Sequence, residues 1–432
     1  MFAAGEFRLQ ECENVRDLLR NTLRYAYSSK SSQDVYNECL KRIQLIQDAF
    51  GILNEEDEDE LQELSNQLSE LSQLIGRVEQ SRIEEFSWPF ALALQNLADK
   101  ICAANKDPLS AKPLFFISAD DELTSYQIET EQGRAGIIDS PLFSIVFPRS
   151  LKHFVLLHPI LGHELGHAAN SATQHAEPLQ REVLDPLIEK SPLANIVKFE
   201  KWLKSTGSEM DLDQITNAVW SWQEEFFCDL FGLLLMGPSY IGATISLLRP
   251  FKLHSISESH PPSATRFWML EQAVNQLGWR KRYSGNKSLK KSVNAYFDSL
   301  TTLALNIPKK YKLLRESQIT AALERLIFFM RAIPEAHFLP PEPAQVAQMC
   351  TRLLNGCPPT ASDVSQSLQV TNVSVDFRSI LFAGWLTWMS DERKKGDLSF
   401  IKLNMLCQRG ILQQRAIDVW TTYSERNRSG GT

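Results

Sequence analysis

Hydrophobic positions divide this chain into stretches of different period. Over residues 34–50 the apolar side chains Val35, Leu40, Ile43, Ile46 and Phe50 recur at helical spacing. Gly51 and Asn54 mark a turn. An acidic run, Glu55 to Glu60, then suits the start of a second helix, where the dipole favours negative charge. Leu61, Leu64, Leu68, Leu71, Ile75 and Val78 alternate by three and four, a coiled-coil-like seam. The pattern predicts a helical hairpin over 34–83. Its seam packs within its own domain or, as the other use, binds a regulatory protein partner. Trp88 to Ala104 predicts a further amphipathic helix.

Near residue 106 the period shortens. Leu114 to Ile117, Tyr126 to Thr130 and Phe143 to Phe147 are short runs of β-formers, separated by Asp120-Asp121, Gly133-Arg134 and Asp139-Ser140-Pro141. They predict a small, mostly antiparallel sheet. Phe143 to Phe147 is either an exposed edge that takes an extended peptide as an added strand or a plain core strand. Residues 171–207 are polar and interrupted by Pro178, Pro186 and Pro192, with one helix predicted over Leu193 to Leu203. Ser208 to Asp213 supplies capping residues before a long helix that carries Trp220 to Asp229.

Phe226 to Leu248 is apolar over nearly the length of a membrane span. Asp229 is costly inside a span and Gly237-Pro238 breaks a helix, so two buried helical segments are expected and no span. Further on, Ala321, Leu323, Leu326, Ile327 and Met330, then Ser379 to Met389, predict helices joined at prolines. Ser424 to Thr432 reads as a disordered tail. The fold class expected is mainly α (α+β). The division expected is 1–105, an N-terminal α-helical domain; 106–275, a domain built round the motifs below; and 276–432, a C-terminal α-helical domain.

Charge and cysteine usage narrow the setting. A net charge of −7 argues against nucleic acid as a partner. The local exception, Arg280-Lys281-Arg282 with Lys287, Lys290 and Lys291, reads as a solvated turn. The seven cysteines are odd in number and widely spaced, without Cys-x-x-Cys, and the N-terminus lacks the apolar run of a secretion signal. Reduced thiols and a cytoplasmic location are expected.

The chemistry centres on His163-Glu164-x-x-His167. Histidines at i and i+4 share one helix face and can bind one metal ion from the same side. Glu164 projects beside them, within reach of a water on that ion. A catalytic zinc site needs a third protein ligand and an open fourth position. Glu225 is the candidate, since an unpaired carboxylate among large apolar residues is expensive to bury. Asp229, four residues on, can accept the free N–H of a ligand histidine. Glu224 with Cys228 is the rival pair at the same spacing. On the Glu225 assignment, Glu225→Ala lowers zinc occupancy and Glu224→Ala does not. His260, before Pro261 and Pro262, sits in a rigid loop and can donate to an oxyanion. Arg266 follows at the start of an apolar helix. His254 and His337 have no partner at ligand spacing and read as structural.

In order, His163-Glu-x-x-His167, Glu225-x-x-x-Asp229 and His260-Pro-x-x-x-x-Arg266 resemble the HtpX-like and CaaX-prenyl-protease-type zinc metallopeptidases, a branch of the gluzincins, over residues 140–272. The resemblance implies a zincin-like metallopeptidase core and one Zn2+ per chain held by His163, His167 and Glu225. It implies Glu164 as general base, Asp229 as helper to a ligand histidine, and His260 and Arg266 in transition-state stabilisation or in gating the open metal position. The expected activity is that of a zinc-dependent endopeptidase acting on a cytosolic protein or peptide. Two features depart from the family. Cys228 stands where Ala is usual, and many members span a membrane, so a prenylated or membrane-protein substrate is not carried over. ImmA/IrrE-type peptidases share His-Glu-x-x-His but have a closer third ligand. Two other readings stay open: hydrolysis of a non-peptide amide or ester, and a non-catalytic interaction protein stabilised by zinc.

Overall fold

The structure, a computed structural model, describes residues 4–22, 30–53, 57–80, 88–104, 114–120, 126–130, 142–171, 177–249, 252–333, 335–364, 370–396 and 398–429. Its contacts group the chain into two compact units, Met1–His153 and Phe154–Thr432. The division at 105 and 275 rests on composition alone.

The first unit contains α1 (Ala4–Thr22), α2 (Lys30–Phe50), α3 (Glu58–Gln80) and α4 (Trp88–Ala104), followed by β1 (Leu114–Asp120), β2 (Gln127–Thr130) and β3 (Leu142–Pro148). Helices α1, α2 and α3 pack on one another around Leu19, Val35, Ile43, Ile46, Leu68, Leu71 and Ile75. The seam of α3 therefore faces its own unit, with α1 added to the predicted hairpin. Val78 and the end of the 34–83 stretch have side chains outside the described residues.

The strand order is β1-β3-β2. β1 runs parallel to β3, from Leu114↔Leu142 to Asp120↔Pro148, and β2 runs antiparallel to it, from Gln127↔Val146 to Thr130↔Phe143. The sheet is thus mixed rather than mostly antiparallel. β3 is its central strand, bonded on both sides, with Phe143, Ile145, Val146 and Phe147 buried. A strand whose two edges are filled cannot accept a third, so Phe143 to Phe147 is a core strand and not a substrate edge. β1 packs on α2, α3 and α4. Among the described residues, no zincin-like sheet lies in the unit that holds the motif helix. Among the described residues, the unit that holds the motif has one two-stranded antiparallel sheet, β4 (Ala361–Val364) with β5 (Val370–Val373).

The second unit is otherwise helical. It runs through α5 (Leu161–Ser171), α6 (Glu177–Ile188), α7 (Ile196–Thr206), α8 (Leu212–Met236), α9 (Ser239–Leu248) and α10 (Ser263–Leu277). It continues with α11 (Trp279–Ser284), α12 (Lys290–Leu305), α13 (Glu316–Arg331), α14 (Pro343–Leu354), α15 (Phe377–Trp388) and α16 (Phe400–Ser429). α8 is its axis. Asp211 and Gln214 close a capping box at its start, and every residue from Glu225 to Met236 is buried. A helix apolar on all sides belongs at the centre of a unit. It ends at Gly237, whose φ of 64° is costly for any other residue, and Pro238 leads into α9. Arg378 of α15 donates 2.7 Å to the carbonyl of Leu235, satisfying one of the acceptors left open at that end. No helix among the described residues is long and apolar enough to cross a membrane.

Three expectations change here. α6 forms across Pro178 and Pro186, because a proline in the first turn needs no N–H partner and one near the end breaks little ladder. The basic cluster is not a free turn. Arg280-Lys281-Arg282 lies in α11, with Arg280 2.6 Å from Asp298 and Arg282 3.0 Å from Glu342. And α16 continues through the predicted tail to Ser429.

Candidate metal centre

α5 carries His163, Glu164 and His167, and α8 carries Glu224, Glu225, Cys228 and Asp229. The helices meet backbone to backbone. A Cβ on Gly166 would stand 2.9 Å from Cys228 Cα, and one on Gly232 would stand 2.8 Å from the His163 nitrogen. Small residues at both crossings let the helices approach until imidazole and carboxylate converge.

His163, His167 and Glu225 form a cluster that can hold a metal ion. The two imidazole Nε2 atoms are 3.2 Å apart. His163 Nε2 lies 3.4 Å from Glu225 Oε2, and His167 Nε2 lies 3.3 Å from Glu225 Oε1. A tetrahedral ion with bonds of about 2.0–2.2 Å keeps its ligands about 3.3–3.6 Å apart. The separations, 3.2–3.4 Å, are close to that figure, each imidazole facing a different oxygen of Glu225. The charges fit as well. Glu225 and Asp229 are buried with Arg266 between them, so with neutral imidazoles the cluster is one positive charge short, which a proton on His163 or a metal ion supplies.

Behind the donors, each histidine is oriented through its other nitrogen. His163 Nδ1 lies 3.1 Å from Asp229 Oδ1, and His167 Nδ1 lies 3.0 Å from Glu224 Oε1. Such carboxylates fix the ring and its tautomer. Asp229 is itself clamped. Arg266 Nε donates to Oδ2 and Nη2 to Oδ1, both at 2.7 Å, and the Tyr240 hydroxyl donates to Oδ1 at 2.7 Å. Arg266 Nη1 also lies 3.1 Å from Glu225 Oε2. Arg266 is buried, and its guanidinium is committed to these two carboxylates. His260 is different. Its side chain is 59 % exposed, with Nε2 3.7 Å from Glu225 Oε1 and Nδ1 2.8 Å from the Ser259 hydroxyl. Glu164, His167 and Glu224 are part-exposed, so the centre opens to solvent on their side.

The electrostatics follow from this crowding. Burial alone would depress the His163 imidazole, but the Glu225 carboxylate and the bond to Asp229 raise it to about 8. Burial would raise Glu225, yet His163 and Arg266 hold it well below the ordinary carboxylate range. Asp229, also opposed by burial, is brought down to about 2 chiefly by Arg266. Glu164 is part-exposed as a residue, but the protein packed round its carboxyl desolvates it and raises it despite both histidines. Burial pushes the Cys228 thiol up to about 12, so it stays protonated.

The spacing argument thus finds the three donors and Asp229 in one place. It misses Tyr240, which reaches Asp229 from the next helix, and Glu224, which it sets aside as a rival ligand. His254 stacks on Tyr311 with ring centroids 4.4 Å apart and belongs to no metal cluster among the described residues. No protein-family model, no curated protein and no solved structure matches the chain.

Proposed function

We propose that this protein is a zinc-dependent endopeptidase, resembling in its site the HtpX-like and CaaX-prenyl-protease-type enzymes. The observation that carries the reading is the convergence of two Nε2 atoms and the Glu225 carboxylate within 3.2–3.4 Å on a centre with a part-exposed glutamate beside it. Bound by His163, His167 and Glu225, zinc supplies Lewis acidity and lowers the pKa of a water.

Glu164 takes a proton from the attacking water as that water adds to the scissile carbonyl. Its raised carboxyl makes it a stronger base for accepting that proton. It delivers that proton to the leaving nitrogen as the C–N bond breaks, giving an amine and a carboxylic acid that then ionises to solvent. His260 donates from Nε2 to the oxyanion, the Ser259 hydroxyl bonded to Nδ1 leaving the ring proton on the far nitrogen. Asp229 holds His163, and Arg266 and Tyr240 hold Asp229. We therefore read Arg266 as a positioning residue and not as an oxyanion donor.

The test is detection of new protein N-termini in cells expressing the wild type against Glu164→Gln. A set of N-termini present only with the wild type supports peptide-bond cleavage. Identical sets, with metal bound to both proteins, favour a zinc-stabilised interaction protein. Cleavage of small amides or esters alone points to the non-peptide hydrolase.

A further inference from the structure

One imidazole of the centre is gripped at both of its nitrogens by consecutive residues. His167 Nε2 faces Glu225 Oε1 at 3.3 Å, and His167 Nδ1 faces Glu224 Oε1 at 3.0 Å. Neighbours on a helix point about 100° apart, so a ring entering between them meets one carboxylate on each side. The two histidines are held unequally. Asp229, behind His163, is fully buried and clamped by Arg266 and Tyr240. The Glu224 side chain, behind His167, is 34 % exposed.

We propose that Glu224 is a positioning residue for the metal, accepting the Nδ1 proton of His167 so that Nε2 presents its lone pair to the ion. The proposal rests on the metal reading above, and it replaces the expectation from spacing that Glu224 has no part in metal binding. A part-exposed pair adds little to folding. A carboxylate behind a ligand histidine raises the basicity of that ligand, and its loss typically costs about 10–100-fold in metal affinity. The signature of this role is therefore weakened metal binding without weakened folding.

The experiment measures zinc affinity of the full chain by competition with a chelator, in the wild type, Glu224→Gln and Glu224→Ala. Visible spectra of the Co2+-loaded proteins and unfolding of the metal-free proteins accompany it. Expected are a loss of about 10–100-fold for Glu224→Ala, a smaller loss for Glu224→Gln, whose amide oxygen still accepts, shifted Co2+ bands in Glu224→Ala, and an unchanged metal-free unfolding midpoint. Zinc affinity of Glu224→Ala within about twofold of the wild type overturns the proposal. So does a loss in both variants that is matched by a fall in the metal-free midpoint. If the wild type itself takes up no zinc, the metal reading falls first; if it binds zinc and Glu224→Ala binds it equally well, Glu224 alone is misassigned.

Discussion

His163 and His167 point their Nε2 atoms at each other across 3.2 Å, each turned to a different oxygen of Glu225. Two neutral imidazoles offer only lone pairs along that line. The arrangement is stable with a proton or a cation among the donors.

The reach of both imidazoles on α5 to Glu225 on α8 depends on how closely the two helices approach. Gly166→Ala places a Cβ 2.9 Å from Cys228 Cα, where backbone must move. The expected outcome is a cost of about 1–3 kcal/mol in stability, together with loss of tight zinc binding. Thermal unfolding and a zinc titration check both. An alanine variant of wild-type stability and affinity would show that the contact is slack.

Tyr240 tests the clamp on Asp229. Tyr240→Phe removes a buried hydrogen bond of 2.7 Å to a carboxylate that Arg266 still holds. A loss of about 1–3 kcal/mol in stability is expected, with zinc affinity falling less than in Asp229→Ala. Chemical denaturation of the metal-free forms decides it. Equal affinity losses in the two variants would place Tyr240, rather than Arg266, in control of Asp229.

On the proposed mechanism His260 serves the chemical step and not the ion. His260→Ala should keep zinc and lower kcat about 10²–10³-fold, the usual cost of one oxyanion donor. Steady-state kinetics with metal analysis of the same sample gives the answer. A variant that loses zinc, or one with unchanged kcat, contradicts the role.

Proton and metal compete at His163. Its pKa is about 8 in the folded chain against an ordinary 6.5. The stabilisation from the protonated ring is complete below pH 6.5 and is lost as the pH rises through about 8. Metal-free protein should therefore become less stable over that window, while zinc affinity, which needs the neutral ring, should rise. Zinc uptake at pH 7 should release at least about one proton per ion, measurable by calorimetry in buffers of different ionisation enthalpy. No proton release would mean that His163 is already neutral at pH 7.

Much of this centre was legible in the chain itself, for reasons that are local. His163 and His167 are one helical turn apart, and Glu225 and Asp229 sit where only partnered acids belong. The break at Gly237-Pro238 was legible because both residues oppose helix. What stayed hidden depends on tertiary packing. Tyr240 meets Asp229 only because α9 folds back after that break. Glu224 and Glu225 are equivalent to any periodicity, and only the angle of α5 on α8 separates them. The central place of β3 is a matter of strand order, which alternation does not encode.

The most direct test is the zinc content of purified full-length protein after extensive dialysis, compared among the wild type, Glu225→Gln and Glu164→Gln. One zinc per chain is predicted for the wild type and for Glu164→Gln, and close to none for Glu225→Gln. Full zinc retention by Glu225→Gln, or none in the wild type, would contradict it.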